Sequence, residues 1–275
     1  MRAVLLAALL AVATPLLRAQ GKGGVGDLMV MPTRVVLEGR DRSAEVTLRN
    51  SGRESCTYRV FFQEMRMQPS GQVEIVPRQD GVLTAADLVR FTPRQVTLLP
   101  GEYQTVRVQL RKPEDLKDGE YRSHLVFQGI PPAEPPKPLV GEDEKVLSFD
   151  IKTVVSLSIP VIVRHGQTEV AVAIRRLDFR PAADGALPAL DVELLRKGNR
   201  GVQGEIKVDW LPASGRARTL VPVLGAVIYP ELDSRTFHMD LGEAKGLDLR
   251  HGRLKVTFTY KDAKLPPVVA FQDLS

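Results

Sequence analysis

The residue types that carry chemistry are present in this chain, but not in the spacings that chemistry needs. Its four histidines, His124, His165, His238 and His251, form no HExxH motif, make no i,i+4 pair and have no cysteine beside them, so no metal site is expected. The one cysteine, Cys56, has no partner for a disulfide and reads as a small apolar residue of a core. No G-x-S-x-G elbow presents a nucleophilic serine. Residues 21–27, GKGGVGD, lack the closing Lys-Ser/Thr of a phosphate loop and its strand-to-helix setting, and read as a flexible segment. The 33 acidic residues leave a carbohydrate-active enzyme open, because paired carboxylates assemble in space rather than in sequence. Trp210, Phe61, Phe62, Phe127 and Phe149 fit core packing better than a sugar platform. No cofactor is expected. What remains is recognition through backbone and apolar side chains.

The segment that offers it is residues 146–164, VLSFDIKTVVSLSIPVIVR, far longer than the usual strand of about 5–6 residues. Its odd positions, Ile151, Thr153, Val155, Leu157, Ile159, Val161 and Val163, make one almost wholly apolar face. Two readings stay open: a core-facing strand, or an edge offered to a partner. Pro160 has no amide hydrogen and is tolerated mainly at an edge, and a long apolar edge invites pairing with another chain. Before it runs a proline-rich stretch, residues 130–138, and the acidic loop Glu142-Asp143-Glu144.

The elements that must position this strand read as all-β. With 43% apolar and 26% charged residues, the 275-residue chain can bury a substantial core, and 20 Pro with 22 Gly favour turns over long helices. Alternation such as Ala44-Glu45-Val46-Thr47-Leu48 predicts strands near 28–37, 44–50, 56–65, 72–77, 94–110 with a break at Pro100, 120–130 and 146–164. A short helix over 84–89, capped by Thr84, interrupts them. His165-Gly166-Gln167 breaks the pattern, and further strands are expected near 168–178, 190–196, 203–211, 218–223, 226–229, 235–241, 253–260 and 267–272. The expectation is two immunoglobulin-like sandwiches in tandem, residues 27–164 and 168–275.

Residues 1–19 have the positive start, eleven-residue apolar run and small final residue of a secretory signal peptide, and residues 20–26 make a flexible mature start. That run is too short to span a bilayer, which takes about 20 residues, so stable membrane insertion is not expected. Loss of Arg2 and Arg18 with the signal lowers the net charge from +5 to +3. Scattered cations and 5% aromatics make nucleic acid a poor partner.

The order of these features resembles the PapD-like periplasmic chaperones of pilus assembly. The likeness rests on Thr33-Arg34-Val35, Val46-Thr47-Leu48-Arg49-Asn50, Pro93-Arg94-Gln95-Val96-Thr97-Leu98, Gln104-Thr105-Val106-Arg107-Val108, Ile130-Pro131-Pro132 and the long strand ending at Arg164. It implies a boomerang of two immunoglobulin-like domains in the periplasm. Such a protein lends a strand to pilin-type subunits or other secreted β-rich clients and can hand them to an outer-membrane usher. It further implies that Ile151, Thr153, Val155 and Leu157 face the subunit, and that Arg34 anchors its C-terminal carboxylate, a task for which a guanidinium suits. Where the resemblance places a second cleft cation, a lysine, this chain has Pro160; Lys152, about 26 Å away along the strand, is no substitute. The rival reading is a secreted two-domain adhesive or matrix-binding protein that works through loops.

Overall fold

The computed structural model describes residues 27–131, 154–183, 186–245, 247–249 and 252–274. Expectations placed on residues 1–26 and 132–153, including Ile151, Thr153 and the acidic loop, lie outside the described residues.

The first half builds β1 (Leu28–Met31), β2 (Val35–Leu37), β3 (Ser43–Asn50), β4 (Cys56–Gln63), β5 (Met65–Met67), β6 (Val73–Ile75), α1 (Ala85–Leu88), β7 (Val89–Thr92), β8 (Gln95–Leu98), β9 (Tyr103–Leu110), β10 (Gly119–Ile130) and β11 (Ser156–His165). One sheet has the order β1-β3-β9-β7 and a second the order β2-β11-β10-β4-β8, while β5 and β6 form a separate hairpin. Alternate residues of each sheet turn inward, among them Val46, Leu48, Val106, Val108, Tyr58, Phe127, Ile159, Val161 and Val163, and form the first core.

The second half builds β12 (Val170–Arg180), β13 (Ala189–Gly198), β14 (Val202–Pro212), β15 (Arg218–Ile228), β16 (Ser234–Asp240), a short 3-10 turn, β17 (Gly252–Tyr260) and β18 (Val268–Leu274). Its sheets, β12-β13-β16 and β15-β14-β17-β18, enclose a core of its own around Leu190, Val192, Ile206, Val208, Val256 and Phe258. The chain is therefore all-β with two sandwiches, as the alternation predicts. Among the described residues no helix is long and apolar enough to cross a membrane, and no His/Cys/Asp/Glu group could hold a metal.

Three expectations are refined. The single strand near 28–37 is two, broken around Pro32: a residue without an N–H cannot continue the ladder, and the chain crosses there from one sheet to the other. The helix is one turn, and Val89, read as its end, instead starts β7, which pairs with β9. The two strands expected at 218–223 and 226–229 are one, β15; Pro222 is tolerated because β15 lies at a sheet edge.

The connection between sandwiches is held from both sides. Gln167 donates its amide to Asp118 Oδ2 at 2.9 Å, and Asn199 Nδ2 donates to the Gln167 carbonyl at 2.9 Å. Gly166 has φ +63° and lies so close against the Asp118 carboxylate that a Cβ would overlap it.

Candidate functional site

The long strand is an edge for only half of its described length. β11 pairs with β10 from Ser156 to His165, but β2 covers its other flank only over residues 161–163, in parallel. Residues 156–160 thus keep one flank of backbone unpaired among the described residues, and Pro160 marks the point where cover begins.

Its apolar face explains what that open flank presents. Val163, Val161 and Ile159 point into the first core and are fully buried; Leu157 is half-buried against the same core, opposite Phe127; Val155 is 42% exposed. One row of side chains therefore runs out of the core and past the rim of the sandwich. Leu157 does not face solvent in the free protein, contrary to what a fully exposed donor face would require, because period 2 continues the inward phase of Ile159 to it. Leu157→Glu is accordingly expected to lower stability by on the order of 1–3 kcal/mol, measurable by urea unfolding, and is not a clean probe of binding. Val155, whose carbonyl accepts from Gly129 N at 3.1 Å, is held in place but open.

The opposite face of β11 turns toward the second sandwich. Ile162 packs with Met67 of the β5–β6 hairpin and with Tyr229, from the turn after β15, in a small cluster bordered by Val36, Val227 and Leu232. Tyr229 gathers three nitrogen-bearing side chains. The Arg122 guanidinium lies 3.6 Å from its ring centroid and that of Arg34 6.0 Å, while the His124 ring meets it edge-on at 6.5 Å. Glu231, two residues on, accepts from Arg122 Nη2 at 2.5 Å and from the Met67 amide at 2.7 Å. Arg122 is thereby neutralised. Arg34 has no carboxylate in ion-pair range among the described residues, and its Nε and Nη2 are buried without a hydrogen-bond partner. His124 is 4% exposed and its Nδ1 is likewise unpartnered. Burial, and then the charge of Arg122, push the His124 imidazole down to about 4, so it is neutral at pH 7.

Arg164, at the end of the strand, ties the two sandwiches together. Its guanidinium is 3% exposed and donates to Glu120 at 3.0 Å, Glu38 at 3.1 Å and Asp262 at 2.6 Å. Burial opposes its charge, but Asp262 and Glu120 outweigh that and hold it more firmly protonated. Glu120 and Arg164 are cross-strand partners, whereas Asp262 comes from the loop after β17. The sequence marks Arg164 only as a strand end, and it gives no signal for Tyr229, Arg122, His124, Glu231 or Asp262, because each acts through contacts between segments far apart in the chain.

Comparison with known proteins gives the following. Residues 27–165 match the family model described as pili and flagellar-assembly chaperone, PapD N-terminal domain. Among solved structures, the chain is similar to the CsuC–CsuE chaperone–tip adhesion subunit complex of Acinetobacter baumannii, with 10% identity, coverage of 90% of this chain and 99% of that one, and a TM-score of 0.47. The E. coli chaperone DraB is 14% identical, with coverage of 90% and 96% and a TM-score of 0.45. The Pseudomonas aeruginosa CupB2 chaperone is 12% identical, with coverage of 90% and 100% and a TM-score of 0.42. No curated protein matches the chain.

Proposed function

The chain belongs to the family of pili and flagellar-assembly chaperones, and on that premise we propose that it captures secreted β-rich subunits of the pilin type by adding its own strand to them, without catalysis, in the periplasm. The observation that carries this reading is the row from Val163 to Val155, which leaves the core at the rim of the first sandwich beside a backbone flank unpaired among the described residues. A subunit short of one strand has an apolar groove and unpaired backbone groups. The continuation of this row fills the groove, and the open flank completes the hydrogen bonds. Ile151, Thr153, Val155 and Leu157 are the side chains we assign to the subunit, with Leu157 at the boundary between the two cores. Arg34, with two buried unpartnered nitrogens, is assigned to the subunit's C-terminal carboxylate. We take residues 27–164 as the capturing domain and 168–275 as the second domain.

The test is purification through a C-terminal tag without denaturant, with mass spectrometry of whatever co-elutes. The expected result is a small secreted subunit in stoichiometric amount, lost from Val155→Glu while that variant melts within about 2 °C of wild type, since a half-exposed position tolerates charge. Undiminished co-elution with Val155→Glu would overturn the assignment of this face. Periplasmic export predicts that the isolated mature protein begins near Gln20 on N-terminal sequencing; an intact Met1 in the periplasmic fraction counts against it.

A further inference from the structure

Across the sheet face that looks into the cleft, three residues stand in one row. The parallel register of β2 and β11 begins with Val35 opposite Val161, so the preceding step carries Arg34 to the level of Pro160. On the other side of β11, Pro160 is opposite His124 in β10. Neighbouring strands are about 4.8 Å apart, which places Arg34 and His124 about 10 Å from each other with only a pyrrolidine ring between them. Two of the Arg34 nitrogens and Nδ1 of His124 are buried with no hydrogen-bond partner among the described residues. Buried polar atoms are nearly always satisfied, so three such nitrogens around one gap call for an acceptor. Tyr229 covers this gap, its ring near both groups. Of the other charged groups nearby, Arg122 is bound through Nη2 to Glu231 and stacked on Tyr229, and its Nη1 is buried without a partner as well, so its charge is already balanced by a carboxylate while that of Arg34 is not.

We propose that His124 is the second ligand of a carboxylate seated over Pro160, donating its Nδ1–H to one oxygen while Arg34 binds the other, once Tyr229 moves off the gap. A proline at position 160 suits this arrangement, because its short ring leaves room above the strand and brings no competing donor. The inference rests on the strand-capture reading for the origin of the carboxylate, the C-terminus of the captured strand. It assigns specificity to a residue of β10 rather than to the edge strand.

The test uses a ten-residue N-acetylated peptide of alternating apolar and polar residues, made once with a free C-terminal carboxylate and once as the C-terminal amide, with affinities measured by calorimetry. Wild type is expected to bind the acid about tenfold tighter than the amide, the scale of one hydrogen bond to a charged group. His124→Leu should remove most of that preference, lowering the affinity for the acid far more than that for the amide. His124→Gln, which keeps an N–H donor, should retain part of it. A structural role for His124 would change both peptides alike. An unchanged acid-to-amide ratio in His124→Leu overturns the inference while leaving strand capture standing. Failure of wild type to bind either peptide overturns strand capture, and this inference with it.

Discussion

Arg164→Met is expected to lower the unfolding free energy by about 3–5 kcal/mol, the usual cost of removing one partner from a buried ion pair. The size follows from what is left behind. Glu120 has a fully buried side chain and Asp262 is nearly as buried, and without the guanidinium these two carboxylates face each other with no cation between them. Glu38 is half exposed and contributes little to the loss, because water screens it. Asp262 belongs to the second sandwich and Glu120 to the first, so the variant should also uncouple them: differential scanning calorimetry should resolve two transitions where wild type gives one. Adding Glu120→Gln and Asp262→Asn to Arg164→Met should recover part of the loss, since neutral amides remove the repulsion between the orphaned charges. If Arg164→Met unfolds within 1 kcal/mol of wild type, this triad does not carry the junction.

The strands were legible wherever one face is buried and the other wet. β3 and β9 alternate because each lies on one side of a sandwich, and their partners follow from the same parity. Legibility failed where length fell below the period. The exposed β5–β6 hairpin gives three residues per strand, too few for a pattern, yet through Met67 it reaches the second sandwich. The candidate site shows the same division. Period 2 identifies the apolar row of β11, but parity alone does not say where along the row the core ends. That limit is set by how far β2 and the facing sheet extend. Arg34 stands out in the sequence only through the Thr33-Arg34-Val35 motif. His124 reads in sequence only as a histidine without metal-ligand spacing, since its setting depends on Pro160 and Tyr229, which reach it only through strand pairing and the docking of a distant turn.

The same burial makes His124 a source of pH dependence. Its imidazole has an ordinary value of 6.5 and is held at about 4 in the folded protein, first by burial and then by Arg122. In unfolded chain the ring takes up a proton between pH 6.5 and 4, while in the fold it does not. The unfolded state therefore binds more protons in that window, and stability falls as pH falls through it. The difference between the two states corresponds to about 3 kcal/mol lost between pH 7 and pH 4, with little further loss from this group below. Carboxylates act lower down. Asp87 and Asp209 are raised by burial but lowered on balance, by Thr84 and Arg78 in the first case and by Thr219 and Lys207 in the second, so their contribution disappears only as pH falls below about 4. Urea unfolding at pH 7.0, 5.5 and 4.5 separates the two, because His124→Gln should be nearly flat over this range while wild type declines. Parallel declines in both proteins would show that another group titrates there. A carboxylate received beside His124 opposes this depression, since a neighbouring negative charge favours the imidazolium. The bound protein should then lose less stability between pH 6.5 and 4.5 than the free one, and binding itself should take up a proton in that window.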